Sequence, residues 1–299
     1  MHVAVCIVGF RNSEDILACV RALARSSHKD LEIVICENGG ESACEEIVRA
    51  LRTLGDLGTL PKVVCEPMNP GYAAGVNRCM NETPAADAWW ILNPDTLPAP
   101  DALELMCVRL SRGDCDAVGC TLRNGAGQIE SRGGRWNPWL ARAISLDAGN
   151  QAAAPASLSY LSGASMLVGR RFLERAGPMR EDYFLYGEEV EWCLRAKARG
   201  ARLAVENDAQ VQHAQGTTTG SVGAVTQRSR LAVFLDERNK ILIIRDCFPN
   251  LLPVASAGSL VMLFMRFARR GAWAQSRYAL QGWWDGLLNR RGKPSWVAA

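Results

Sequence analysis

Histidine is scarce, with three in 299 residues (His2, His28 and His213), which excludes any His-rich metal cluster. Cysteine is plentiful but unpatterned. The eleven thiols at positions 6, 19, 36, 44, 65, 79, 107, 115, 120, 193 and 247 contain no CxxC pair. An odd, scattered set argues against a zinc ribbon or a disulfide framework and for reduced cytosolic thiols used as small apolar fillers. The N-terminus lacks a charged start, an apolar run and a small-residue cleavage site, so secretion is not expected. Neither GxGxxG nor GxxxxGK[ST] occurs, which removes the fingerprints of the dinucleotide fold and the P-loop. An excess of one charge is also missing. With 34 basic and 31 acidic residues the net charge is +3, too balanced for a chain built to neutralise nucleic-acid phosphates.

The chain is 48% hydrophobic and 22% charged, enough for one large globular domain or one and a half, and not a disordered chain. His2–Val8 is apolar without alternation, as in a strand buried on both faces. A helix follows from Glu14, capped by Asn12 or Ser13, with Leu17, Val20, Leu23 and Ala24 on its inner face. The series continues with a strand at Leu31–Ile35, a helix opened by a capping box at Ser42–Glu45, and a strand at Lys62–Cys65. Next come a helix near Ala73–Asn81, a strand at Trp89–Leu92, a helix started by Pro100 and Asp101, and a strand at Ala117–Leu122. This is an α/β pattern, with a mostly parallel sheet flanked by helices. Residues 124–159 read as a variable loop or small hairpin. Regular signals return at Leu161–Val168, in a helix near Gly187, and in two short strands near Leu203–Val205 and Val211–His213; residues 216–227 read as a mobile loop.

In such a sheet, ligands sit beyond the carboxyl ends of the strands, which places Arg11-Asn12, Glu37-Asn38, Asn69 and Asn93-Pro94-Asp95 in view. Asp95 suits either a turn or a divalent cation bound mainly by substrate phosphates. In Glu188-Glu189-Val190-Glu191, Glu191 and Arg195 make a routine surface pair, whereas Glu189 points towards apolar surroundings and suits a general base. Burial raises its pKa and the helix N-terminus lowers it, so the sign of the shift stays open. His213 ends a strand and suits either a structural histidine or a metal ligand.

Asn69–Asn77, Ile91–Thr96, Leu161–Ala164, Phe184–Arg195, His213 and Glu237-Arg238-Asn239 occur in an order that resembles family 2 glycosyltransferases, nearest to the rhamnosyltransferase-like branch that builds bacterial surface polysaccharides. The resemblance covers about residues 1–250 and implies a GT-A fold. Residues 1–122 would form the nucleotide-sugar half, 123–250 the acceptor and catalytic-base half, and 251–299 a basic amphipathic helical extension. It implies transfer, with inversion, of one sugar from a dTDP-, UDP- or GDP-linked donor to a saccharide or polyprenyl-diphosphate-linked acceptor. By the same resemblance Glu189 is the base, and Asp95 and His213 hold Mg²⁺ or Mn²⁺. Val8, Phe10, Arg11, Glu37, Asn38, Asn69, Gly71, Asn77, Asn93, Asp95, Ser162, Gly163 and Arg238 would contact the donor, with Thr217–Thr219 closing over it. Asn93 replaces the first acid of the usual metal motif. Glu37 and Glu189 are each one methylene longer than the usual Asp. A processive synthase would need QxxRW and several membrane spans, and the chain has neither. A catalytically silent binding subunit keeping the same fold is the reading from a different class.

Charge sorted by position adds a membrane expectation. From Leu251 onward seven cations face only Asp285, giving +6, so residues 1–250 carry −3. Leu251–Ala268 offers 15 uncharged residues before Arg266, short of the roughly 20 that span a bilayer. Trp273, Trp283 and Trp284 among the cations suit a helix lying in a membrane interface or, equally, a helical cap packed on the domain. The first option would make the protein peripheral on the cytoplasmic face of the inner membrane.

Overall fold

The computed structural model describes residues 1–54, 60–146, 158–213 and 224–297. Its central strand, β1 (Val3–Gly9), is buried along its whole length and pairs in parallel with β2 (Leu31–Glu37) and β4 (Ala88–Leu92); β3 (Lys62–Cys65) adds to β2. Successive side chains of β1 feed two cores because strand residues alternate faces. Val3, Val5 and Ile7 meet helices α1 (Ser13–Ala24), α2 (Glu41–Arg52) and α4 (Ala102–Ser111), while Ala4, Cys6 and Val8 meet α3 (Tyr72–Glu82) and α6 (Glu188–Ala198).

The second half makes the sheet mixed. Strand β10 (Ser165–Gly169) enters antiparallel between β4 and β6 (Ala117–Arg123), and β11 (Leu203–His213) runs parallel to β6. The two short strands expected at 203–205 and 211–213 are thus one strand, broken only by a register shift between Glu206 and Gln210. Antiparallel β5 (Thr96–Pro98) closes the order β3-β2-β1-β4-β10-β6-β11-β5. Within 124–159, β7 (Ile129–Ser131) adds to β6, and β8 (Gly134–Asn137) forms a hairpin with β9 (Arg142–Ser145).

Three local expectations change. Helix α2 starts from Gly40 with no side-chain cap, so Ser42 lies inside it; Asn12 turns its oxygen back to accept from Phe10 N instead of capping α1. Cys44 and Cys65 form a disulfide, their Cα atoms 5.9 Å apart, because the first turn of α2 sits over the end of β3. The remaining nine cysteines are free, and eight of them are buried fillers.

The C-terminal region is a helical cap. Helices α8 (Leu252–Arg266) and α9 (Trp273–Leu287) pack on α7 (Arg230–Cys247), and Gly282 and Gly286 bring α9 so close that a Cβ at Gly286 would lie 2.7 Å from Arg238 O. Several of the cations are engaged internally: Arg266 with Asp236 and Glu237, Arg290 with Asp285, and Arg291 with Asp182 and Asp246. The helical run Pro249–Arg270 reaches 22 residues at mean hydropathy 1.7, so by length and composition it passes as a span, contrary to the count of uncharged residues alone. One face of it is nonetheless buried through Ala255, Ser256, Ser259 and Leu263, and Trp283 Nε1 donates to Ser256 O and Ser259 Oγ.

Candidate active site

The carboxyl ends of β1, β2 and β4 open onto a cavity of about 540 Å³. Val8 and Phe10 reach it from β1, Asn38 from β2, and Asn93, Pro94 and Asp95 from β4. Its far side is formed by Ser162, Gly163, Glu188, Glu189 and the turn Phe184-Leu185-Tyr186, and it is completed by Leu231 of α7 and by Val297.

Strand pairing sets the metal-ligand candidates. Antiparallel β11–β5 pairing puts His213 opposite Thr96, the neighbour of Asp95, and His213 Nε2 lies 3.4 Å from Asp95 Oδ1. On the other side of the ring, Nδ1 lies 3.4 Å from Glu130 Oε2. Burial pulls the His213 pKa down, but the two carboxylates outweigh it and hold it at about 9. Among the described residues no group of three or more His, Cys, Asp or Glu side chains gathers around one point. One carboxylate and one imidazole therefore fit a hard cation whose remaining oxygens come from a diphosphate, and do not fit a cation caged by protein alone.

The carboxylates at the start of α6 line the same cavity. Glu188 is 3% exposed, and burial first, then the charge of Glu189, pushes its carboxyl well above the usual range. Burial also raises Glu189, against the lowering by backbone N–H groups at the helix start, which resolves the sign left open by the sequence. Glu189 lies over Gly163, where a Cβ would stand 3.3 Å from its Cγ. Glu191, expected on the surface, is 1% exposed; Arg195 grips both of its oxygens, at 2.7 and 3.0 Å, and anchors α6 to Pro178 O.

Of the donor-contact candidates, Val8, Phe10, Asn38, Asn69, Gly71, Asn93, Asp95, Ser162 and Gly163 line the cavity together with Glu189 and His213. Arg11, Glu37, Asn77 and Arg238 do not. Glu37 is fully buried and accepts from Arg11 N and Gly39 N, so it shapes the two loops beside Asn38. Arg11 donates from Nε to Gly39 O. Asn77 ties α3 to Met179 through its O and N. Arg238, at 2% exposure, is neither a cavity cation nor a surface one: it donates to Tyr183 O and Gly292 O. Its neighbour Asn239 donates to the carbonyls of Tyr183, Leu185 and Tyr186, a turn in which Phe184, Tyr186 and Gly187 all have positive φ. For Phe184 and Tyr186 such backbone conformations cost about 1–3 kcal/mol each and persist only where surrounding contacts impose them. Arg238 and Asn239 are therefore the brace behind the turn that leads into α6. Thr217–Thr219 lie outside the described residues.

Tyr72 is a site residue that the sequence reading missed. Its hydroxyl reaches Asn93 Oδ1 at 2.9 Å and Gly163 O at 3.0 Å, joining the β4 end to the segment beneath Glu189. Its place inside the Asn69–Asn77 motif was the available signal. Glu130, in a stretch with weak periodicity, gave none.

Residues 2–232 match the family described as Glycosyltransferase like family 2. A curated relative, the low-salt glycan biosynthesis hexosyltransferase Agl10 of Haloferax volcanii, is 26% identical over 144 residues, and the match spans about half of each protein, 46% of this chain and 45% of the relative. Among solved structures, the mannosyltransferase PcManGT from Pyrobaculum calidifontis, in complex with GDP-Man and Mn²⁺, superposes with TM-score 0.61 at 16% identity over 97% of this chain and 88% of that one. S. aureus TarS 1-349 gives TM-score 0.58 at 13% identity over 97% and 82%. GalNAc-T7 with UDP, GalNAc and Mn²⁺ gives 0.59 at 15% over 80% and 48%. At these identities the likeness is one of fold.

Proposed function

The chain belongs to the Glycosyltransferase like family 2 and has the GT-A fold, and from that premise we propose that it moves one sugar, with inversion, from a nucleotide diphosphate donor to a saccharide acceptor. The observation that carries this reading is that Asp95, His213 and Glu189 line one cavity, with Asn38 at the end of β2. Asn38, Asn69 and Phe10 hold the nucleoside side. Asp95 and His213 hold a divalent cation, Mg²⁺ or Mn²⁺, which when bound neutralises the charge that develops on the departing diphosphate. Two of the structural neighbours are complexes with Mn²⁺, which supports this assignment.

Glu189 accepts the proton of the acceptor hydroxyl from the opposite face. Its raised pKa makes it a stronger base than an ordinary carboxylate once ionised. Tyr72 fixes the relation of Asn93 to Gly163, and so keeps the two faces at a constant distance. The donor sugar is rhamnose in this proposal, in a dTDP, UDP or GDP form, and the acceptor is linked to a polyprenyl diphosphate in polysaccharide biosynthesis. Exposed Val261, Phe264, Trp273 and Trp284, with exposed Arg269, Arg270 and Arg277, form the face that rests on the cytoplasmic leaflet of the inner membrane near that acceptor.

The test is transfer or donor hydrolysis with each sugar nucleotide and Mg²⁺ or Mn²⁺, before and after chelation. Glu189→Gln is expected to lower turnover about 10²–10⁴-fold, and Asp95→Ala about 10²–10³-fold. Unchanged turnover in Glu189→Gln sinks the base assignment. Nucleotide binding without turnover in the parent favours the silent binding subunit.

A further inference from the structure

We propose that Glu130 is a positioning residue for the metal ligand His213, an inference that rests on the reading of Asp95 and His213 as cation ligands. Strand β7 pairs with β6 through Ser131↔Leu122 and Ile129↔Arg123, so Glu130 is the extra residue where the register shifts. A bulge of this kind re-aims a side chain. The next strand over is β11, whose Gln212 pairs with Arg123, and the bulge turns the Glu130 carboxylate onto the ring of His213. Oε2 of Glu130 and Nδ1 of His213 face each other at 3.4 Å; both are sealed from solvent and neither has a well-aligned hydrogen bond to any other atom.

An imidazole has two nitrogens, and the one that carries hydrogen cannot ligate a cation. Where a cation replaces the hydrogen on Nε2, the nitrogen that faces Asp95, the carboxylate beside Nδ1 would keep the other hydrogen in place and hold the ring. Glu130 thereby fixes both the tautomer and the ring plane without touching substrate or cation. Asp95 does not share this task, because it sits on the ligating side.

Mn²⁺ with saturating dTDP, UDP or GDP is the probe, read by the change that the full chain adds to the EPR spectrum of the Mn²⁺–nucleotide pair, with thermal unfolding of each variant as a folding check. Glu130→Ala is expected to weaken Mn²⁺ binding about 10–100-fold. Glu130→Gln keeps an oxygen that accepts from Nδ1–H, and is expected to restore much of that loss. Mn²⁺ affinity in Glu130→Ala equal to the parent's, or Glu130→Gln no better than Glu130→Ala, overturns the proposal. His213→Ala separates the two layers: if it binds Mn²⁺ like the parent, or the parent binds none, the metal reading falls and the proposal with it.

Discussion

Gly40 and Gly71 offer a matched pair for measuring how tightly the two walls of the cavity are held. Each precedes a helix, α2 or α3, with nearly the same backbone, φ 95°, ψ 176° at Gly40 and φ 102°, ψ 176° at Gly71. That region belongs almost solely to glycine, and an alanine forced into it costs about 1–3 kcal/mol. The surroundings differ. A Cβ on Gly40 meets nothing within 4 Å, whereas one on Gly71 collides with Phe184 O and stands 2.9 Å from Phe184 C and Cα. Those are backbone atoms of the turn before α6, held by Tyr72 N donating to Phe184 O at 2.8 Å, so they cannot swing aside as a side-chain end would. Overpacking of this kind adds about 1–3 kcal/mol.

With an unfolding entropy of about 2.1 cal/mol/K per residue, the chain loses roughly 1.6 °C of Tm per kcal/mol. Gly40→Ala is then expected to lower Tm by about 2–5 °C and Gly71→Ala by about 3–10 °C. Gly71→Ala also disturbs Asn38, whose Nδ2 donates to Gly71 O, so donor KM is expected to rise in that variant alone. Scanning calorimetry and donor titrations on both variants decide it. Equal Tm losses, or equal donor KM, refute the claim that the α3 cap and the Phe184 turn are in rigid contact.

Other outcomes are equally specific. Because burial raises Glu189, kcat/KM is expected to climb with pH along a limb above the usual carboxylate range, and Glu188→Gln is expected to leave that limb in place, because the more strongly raised Glu188 is still protonated where Glu189 ionises. The same substitution is expected to raise Tm at neutral pH. A carboxyl whose folded pKa lies above its unfolded one favours the native state only while protonated, and that advantage is lost as pH rises through the folded value; the gain from Gln therefore shrinks on acidification. Cys44→Ser removes a cross-link across 21 positions and is expected to cost about 3 kcal/mol, some 5 °C; thiol titration of the denatured parent should count nine thiols, not eleven. Asn239→Asp replaces three donated hydrogen bonds with a buried charge facing carbonyls, so turnover and Tm should both drop. Trp273→Ala with Trp284→Ala should reduce cosedimentation with phosphatidylglycerol vesicles, and equal pelleting of parent and variant argues against the membrane face.

The strands of the first half were legible because their apolar runs lie in a sheet covered on both faces, and β3 fell on Lys62–Cys65 as expected. Asp95 and His213 could be nominated separately, but their juxtaposition depends on β11 folding back along β5, which no local pattern encodes. Arg238 was expected to contact the donor; α7 is instead covered on one side by the turn at 183–186 and on the other by α9, so its cation is spent on backbone carbonyls. The disulfide was hidden for the same reason, since only the stacking of α2 over β3 makes two of eleven scattered cysteines neighbours.

The segment that closes the cavity has a kinetic consequence. Lys293 Nζ reaches Met68 O across 225 positions of sequence, Arg291 reaches Asp182 across 109, and Asn77 reaches Met179 across 102. Contacts so distant along the chain must meet the entropy of closing long loops before they return any energy, so they form late in folding even where helices and hairpins form early. A partly folded chain can thus own an intact β1–β4 sheet and still lack a chamber. Nucleotide affinity then becomes a reporter of completed folding, and amide exchange along residues 289–297 should mark the first part of that chamber to come undone.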